Sequence, residues 1–167
     1  MCIRDRPGAI VLRAMPNTPV GIGMGMTGIA PGALADVTAI TATESIFRTV
    51  GEVLVGEDAR IDPLSAMSGS GPAYVFQLIE HFVAATAGLG FSEADATSIV
   101  EQTFRGALAL LERSGEPPAE LRRKVTSPNG TTAAALAVFA ERDLGGTIAA
   151  ALAGAIARAR ELAPPTA

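Results

Sequence analysis

The chain has 167 residues, of which 49% are hydrophobic and 18% charged, so it can form a packed core and is not a disordered chain. Its net charge of −4 argues against a general nucleic-acid binder, and one cysteine and one histidine exclude a disulfide scaffold and cysteine- or histidine-rich metal sites. No stretch has the composition of a membrane-spanning helix. The composition therefore predicts a cytoplasmic, mainly helical protein without a metal site.

The first third of the chain has the pattern of an α/β fold. Residues 10 to 13 and the glycine-rich residues 21 to 28 each predict a strand, and helical spacing follows from 35 to 50. Gly51 is expected to end this helix, and a short strand follows over residues 52 to 56. These elements are too few to form a stable α/β domain alone. The segment is therefore predicted to be the end of such a domain.

From residue 57 onward, apolar residues recur with helical spacing. Turn residues divide this region into predicted helices at 61 to 68, 73 to 87, 92 to 115, 118 to 124, 131 to 141 and 144 to 162. The last of these helices is apolar nearly all round, and a helix of that kind is buried on all sides. The sequence therefore predicts that a second subunit covers it.

A polar turn directly ahead of a predicted helix, at residues 125 to 134, is the most informative motif. Backbone N–H groups at a helix N-terminus favour an anion, and Ser127, Thr131 and Thr132 add hydroxyl groups there. No charged side chain lies inside the loop, so neutral donors that hold a small carboxylate are one interpretation. A capped turn that binds no ligand is the other.

Two further motifs each allow a functional and a purely structural interpretation. Residues 15 to 19 follow a predicted strand, where the ligands of α/β sheets lie, and Asn17 could hydrogen-bond an amide or a ribose. The same residues could simply form a proline-fixed turn. Residues 69 to 72 interrupt a helical region with two glycines and a proline, and they could form a pocket wall or a joint between helices.

In this order and spacing, the motifs at Met15–Pro19, Ser68–Tyr74 and Val125–Thr132 resemble those of pyrroline-5-carboxylate reductases. The resemblance runs from about Pro7 to Leu162. It implies reduction of 1-pyrroline-5-carboxylate to L-proline with NADPH or NADH, the last step of proline biosynthesis. It also implies a mainly α fold: a C-terminal helical dimerisation domain, preceded by the last strands and helix of a truncated α/β Rossmann domain.

The resemblance assigns roles to residues of all three motifs. The implied substrate-binding residues are Val125, Ser127, Asn129, Gly130, Thr131 and Thr132. The implied cofactor-binding residues are Met15, Pro16, Asn17 and Thr18. Ser70 and Gly71 would line the pocket. Thr132 would be the catalytic residue, with its hydroxyl facing the ring nitrogen, and no metal is implied.

The resemblance also predicts how the chain is divided. Residues 1–6 are expected to be a foreign leader, 7–56 a remnant of the dinucleotide-binding domain, and 57–163 the helical substrate-binding and dimerisation domain. Because the first half of the nucleotide-binding fold is expected to be missing, the isolated chain is expected to be inactive. The expected partners are a second copy of the chain, as a homodimer or an oligomer of dimers, and the small substrate, with no nucleic acid and no membrane.

Two other functions remain open from the sequence. One is a non-catalytic helical oligomerisation module. The other is a different two-domain NAD(P)-dependent dehydrogenase, in which Lys124, the single lysine, would serve as acid or base.

Overall fold

The computed structural model describes residues 8–162, in which a small sheet is followed by helices. The predicted leader at residues 1–6 and the predicted domain end at residue 163 lie outside the described residues. Two compact units are present: one takes in the chain up to Tyr74 and again from Ala149 onward, and the other is Val75–Ile148. Among the described residues, no helix has the length and apolar character needed to cross a membrane.

Three strands form the sheet of the first unit. They are β1 (Leu12–Met15), β2 (Gly25–Pro31) and β3 (Gly51–Val55), arranged in the order β1-β2-β3. β1 runs antiparallel to β2, and β2 runs parallel to β3. The central strand β2 supplies the buried side chains of Thr27, Ile29 and Ala30. The predicted order of strand, strand, helix and strand is therefore confirmed.

Helix α1 (Val37–Arg48) crosses over from β2 to β3, which allows these neighbouring strands to run parallel. The Asp36 side chain caps it by accepting a hydrogen bond from the Ala39 N–H at 2.8 Å. The prediction that Gly51 ends this helix is wrong. Thr49 is the C-cap, and Gly51 opens β3 with a φ of 147°.

Glycine is needed at position 51 for two reasons. The φ of 147° disfavours other residues, and a Cβ would collide with the backbone of Gly25 on the neighbouring strand.

The predicted strand over residues 21 to 28 also needs correction at its start. Thr18–Ile22 form a 3-10 turn, so β2 begins only at Gly25 and then extends to Pro31.

A connector leads from the sheet into the helical region. It consists of a 3-10 turn (Asp58–Arg60), helix α2 (Ile61–Leu64) and a π-helical turn (Ser65–Gly69), and helix α3 (Gly71–Ala87) follows. Arg13 of β1 donates hydrogen bonds to the carboxylates of Asp58 at 3.2 Å and Asp62 at 2.9 Å. Burial lowers the pKa of Arg13, but the two carboxylates outweigh it, so the pKa is raised. These ion pairs hold the connector against the sheet.

Helices α4 (Glu93–Ser114), α5 (Pro118–Lys124) and α6 (Thr131–Glu141) lie in the second unit, and α7 (Leu144–Leu162) begins there. Ser92 caps α4 as predicted, because its Oγ accepts a hydrogen bond from the Asp95 N–H at 3.1 Å. Gly115 ends α4 in the left-handed region with a φ of 63°. Helices α6 and α7 have the bounds that the sequence predicts.

Many large apolar side chains remain exposed on the helices. They include Phe76 on α3, Leu108 and Leu110 on α4, Val138 on α6 and Ile148 on α7. Large exposed apolar surface marks a site of interaction with another molecule or chain. The prediction that α7 needs a covering partner is consistent with this surface, since none of its residues is buried.

Candidate functional site

The loop ahead of α6 is a tight turn that leads directly into a helix N-terminus. The carbonyl of Ser127 accepts a hydrogen bond from the Gly130 N–H at 3.1 Å, and Asn129 has a left-handed φ of 59°. Proline at the second position and a left-handed residue at the third are typical of a type II turn, and Pro128 and Asn129 supply them. A Cβ at position 130 would collide with the Ser127 hydroxyl, so glycine leaves room for that group.

The start of α6 presents several uncommitted donors. The helix has no side-chain cap and no acidic residue in its first turn. Its first intrahelical hydrogen bond runs from the Ala134 N–H to the Gly130 carbonyl at 3.1 Å, so the N–H groups of residues 131 to 133 have no such acceptor. Ser127, Thr131 and Thr132 are exposed, and their hydroxyls make no hydrogen bond within residues 8–162. This arrangement is suited to a small anion.

Two basic residues next to this loop, Arg123 and Lys124, are paired with acidic residues. Lys124 forms an ion pair with Glu116, and Arg123 donates a hydrogen bond to Glu120 at 3.1 Å. The hydrogen bond from Arg123 lowers the pKa of Glu120. Because Lys124 is held by a carboxylate, nothing in the structure favours the alternative dehydrogenase in which it acts as acid or base. Backbone and hydroxyl groups, rather than a lysine, are the donors that this loop offers.

In the first unit, the motif at residues 15 to 19, here called the strand-exit motif, is in contact with the motif Ser68–Tyr74. The Asn17 amide donates a hydrogen bond from Nδ2 to the Ser68 carbonyl at 3.0 Å, and its Oδ1 accepts one from the Met26 N–H at 2.8 Å. Beside them, Met15 lies next to Gly69, where a Cβ would be 3.4 Å from the Met15 methyl group. The structure therefore joins two of the three motifs that the sequence analysis singled out.

The strand-exit motif has the chemistry to contact a neutral ring. Pro16 and Thr18 are exposed on either side of Asn17, and no charged residue occurs from Ala14 to Ala35. These groups fit the nicotinamide end of a dinucleotide and do not fit its pyrophosphate, which needs cationic or helix-terminal donors. Within residues 8–162, no group of three or more metal-ligating side chains occurs.

A glycine string in this region matches the dinucleotide-binding fingerprint in spacing only. Gly23, Gly25 and Gly28 follow the G-x-G-x-x-G pattern. That fingerprint works where a strand turns into a helix, whereas these glycines lead into strand β2 and continue along it. They therefore do not form a phosphate-binding loop.

The predicted site residues fall into both compact units. Met15 to Thr18, Ser70 and Gly71 belong to the first unit, and Val125 to Thr132 belong to the second. Gly71 is buried, and the Ser70 N–H donates a hydrogen bond to the Ser65 carbonyl at 3.1 Å. The individual substrate, cofactor and catalytic roles stay predictions.

Comparison with known proteins decides the family. A family model described as pyrroline-5-carboxylate reductase dimerisation matches residues 58–162. The chain belongs to the pyrroline-5-carboxylate reductase dimerisation family. This match begins one residue after the predicted start of the helical domain, and it confirms the resemblance that the three motifs indicated.

Curated relatives agree with this family. The pyrroline-5-carboxylate reductase of Corynebacterium melassecola is 37% identical over 155 residues, which is 93% of this chain and 57% of that protein. The Pseudomonas aeruginosa enzyme of the same name is 39% identical over 154 residues, which is 92% of this chain and 56% of that protein. The chain therefore spans little more than half the length of the curated relatives that it matches.

Solved structures of this family are also similar to the chain. A pyrroline-5-carboxylate reductase from Coxiella burnetii has a TM-score of 0.90 and 36% identity, covering 95% of this chain and 59% of that chain. A Plasmodium falciparum pyrroline carboxylate reductase with NADP bound has a TM-score of 0.85 and 27% identity, covering 91% and 61%. The predicted fold class, a small sheet followed by a helical dimerisation domain, is confirmed.

Proposed function

We propose that this chain supplies the substrate-binding and dimerisation part of a pyrroline-5-carboxylate reductase, an oxidoreductase that acts on a CH–NH bond. The reaction would reduce 1-pyrroline-5-carboxylate to L-proline with NADPH or NADH in the cytoplasm. The observation that carries the proposal is the uncapped, neutral start of α6, which lies within the part of the chain that matches the reductase family.

The loop before α6 would hold the carboxylate of the substrate. The backbone N–H groups of Thr131 and Thr132 point out of the helix start, where the helix dipole favours a negative charge. The Ser127 hydroxyl would add a third donor. Val125 is 63% exposed and would give the pyrroline ring an apolar surface, while Asn129 and Gly130 set the shape of the turn.

The hydroxyl of Thr132 would act on the reacting end of the substrate. Its oxygen can accept a hydrogen bond from the N–H of the protonated imine, and this form of the ring accepts a hydride more readily than the neutral imine. NADPH or NADH supplies that hydride when bound. The uncharged segment Met15 to Thr18 would lie at its nicotinamide end, with contacts from Met15, Pro16 and Thr18, and Ser70 and Gly71 would line the pocket.

A second copy of the chain would complete the assembly. The exposed apolar residues of α4, α6 and α7 supply the surface for a homodimer, which is the association that the family description names for residues 58–162. Covering this surface removes apolar area from water, at roughly 25 cal/mol for each Å².

A fusion protein provides the test of the reductase function. The N-terminal part of the Corynebacterium melassecola enzyme, up to the start of its match with this chain, would be joined to residue 8. Oxidation of NADPH with 1-pyrroline-5-carboxylate is then followed by absorbance. We expect turnover by the fusion and none by the 167-residue chain alone. A folded, dimeric fusion without turnover would favour the non-catalytic oligomerisation module.

Two substitutions in the fusion would separate the roles of the loop hydroxyls. Thr132→Ala should lower kcat/KM by roughly 10- to 150-fold, because a hydrogen bond to a charged group contributes about 1.5–3 kcal/mol. Ser127→Ala should act mainly on KM, since the carboxylate is bound equally in the ground and transition states. Thr97→Ala, on α4, serves as the control, because the Thr97 hydroxyl bonds only the Glu93 carbonyl of its own helix. Unchanged kinetics of Thr132→Ala would refute its catalytic role.

A further inference from the structure

The Asn17 side chain continues the β1–β2 ladder beyond the end of strand β1. The register pairs Met15 with Gly28, and its continuation places Asn17 opposite Met26. The Asn17 carbonyl does not make this pairing and instead accepts a hydrogen bond from the Val20 N–H at 3.2 Å, where the 3-10 turn begins. The side-chain Oδ1 accepts the Met26 N–H in its place, at 2.8 Å.

The same amide replaces a donor that a proline removes. In a regular helix the carbonyl of Ser68 would accept from the N–H of residue 72, but Pro72 has none. The next N–H along the chain, that of Ala73, is directed to the Ser70 carbonyl at 3.0 Å. Asn17 Nδ2 donates to the Ser68 carbonyl at 3.0 Å instead.

The hydroxyl of Ser68 takes no part in this link. It is buried and makes no hydrogen bond within the part of the chain that the structure describes. Within residues 8–162, the Asn17 amide is the one side chain that joins the strand-exit turn (residues 15 to 19) to the π-helical turn by hydrogen bonds. An uncharged side chain that both donates and accepts on one planar group suits this position, and asparagine has that group on its shortest stem.

We propose that Asn17 is a positioning residue whose amide holds the strand-exit turn and the π-helical turn in one fixed arrangement. The consequence for the site rests on the proposed function. The arrangement fixes the residues proposed to lie beside the cofactor, Met15 to Thr18, relative to Ser70 and Gly71, which are proposed to line the pocket. Asn17 acts through these neighbours, because its two main hydrogen-bonding groups are directed to the protein itself.

Replacing the amide by a carboxyl group makes the link depend on pH. In Asn17→Asp, the ionised carboxylate still accepts from the Met26 N–H but cannot donate to the Ser68 carbonyl, and the two oxygens repel. Protonation restores a donor at that site. β2, the 3-10 turn over residues 18–22 and the π-helical turn carry no titratable side chain, and β1 carries only Arg13, which Asp58 and Asp62 hold. The neighbouring elements add Glu52 of β3, the exposed ladder partner of Met26, and Tyr74 of α3, which donates a hydrogen bond to the Ala66 carbonyl. Both are present in the unchanged chain, which is measured over the same pH range as the reference.

Amide hydrogen exchange of the 167-residue chain, measured by NMR between pH 3 and 8 and divided by intrinsic rates, tests the proposal, since this range extends below the ordinary aspartate pKa of about 3.9. The reporters are the Met26 N–H and the Ser70 N–H, which lies in the π-helical turn. In Asn17→Asp both should exchange about tenfold faster at pH 8, with protection returning as the pH falls. Asn17→Ala should exchange faster at every pH. Gln77→Glu, an exposed amide-to-acid control on α3, should leave both reporters unchanged.

Three results would overturn the proposal. The first is unchanged exchange in Asn17→Asp. The second is a loss of protection that low pH does not restore, because that would be a packing effect. The third is a loss of protection throughout the sheet and α3 in both Asn17 variants, because that would assign Asn17 to global stability. None of these measurements involves turnover, so their failure is separate from failure of the reductase assay.

Discussion

Replacing Ile148 by aspartate is expected to separate the proposed dimer. Ile148 lies on α7 with half of its surface exposed, at 50%. It lines an open, mainly apolar groove of about 510 Å³ together with Leu136, Phe139 and Leu144. A groove of this composition on the second unit is a surface that a partner helix can fill.

The expected effect differs between the single chain and the dimer. In the single chain an aspartate at this site stays hydrated, and the fold loses only the buried part of the isoleucine, roughly 1 kcal/mol. In a dimer that covers the groove, each unpaired charge costs several kcal/mol, and two-fold symmetry introduces two of them. A penalty on the order of 5 kcal/mol or more raises Kd by at least about 1,000-fold.

Sedimentation velocity at micromolar concentration measures this effect. We expect a discrete dimer for the unchanged chain and a folded monomer for Ile148→Asp, with the same helical circular dichroism. Val37→Asp is the matched control, because Val37 is 79% exposed and the first turn of α1 favours an acidic residue. A stable monomer of the unchanged chain, or a dimer of Ile148→Asp, would refute the reasoning.

Three further predictions concern the fold and are measured by urea unfolding. Gly51→Ala should lower the free energy of unfolding by about 2 kcal/mol or more, because the new Cβ meets the Gly25 backbone at a φ of 147°. Gly106→Ala, in α4 with open space around it, should raise the free energy by roughly 0.5–1 kcal/mol and is the control. Ser92→Ala should lower it by about 1 kcal/mol, since the Asp95 N–H loses its acceptor. Unchanged stability of Gly51→Ala or Ser92→Ala contradicts the respective prediction.

Local signals made the later helices predictable. The turn that ends at Gly130 places the start of α6, and the spacing of apolar residues gives α7 its length, so both predicted ranges agree with the structure. The structural role of Gly51 could not be predicted from such local signals. Its conformation depends on Gly25, its partner in the parallel ladder, and a single sequence does not show which strands pair.

The candidate site likewise has one part that local sequence signals predict and one part that they do not. The uncommitted hydroxyls of Ser127, Thr131 and Thr132 could be predicted, because the turn and the helix that hold them adjoin in sequence. The two hydrogen bonds of Asn17 could not, since they depend on the strand register and on the place where the connector returns to the sheet. Proline at position 72 was the available signal, because it leaves a helical carbonyl without its usual donor.

Helix α6 connects the two properties that the proposed function requires. Its first turn carries the uncommitted N–H groups, and its last turns carry Val138 and Phe139, which are exposed. The helix has 11 residues and is about 16 Å long, short enough to act as one rigid rod. A partner that covers Val138 and Phe139 therefore also fixes the direction of the N–H groups of Thr131 and Thr132. Under the proposed function, a carboxylate bound at this end must favour the assembled state by the same factor by which assembly favours binding.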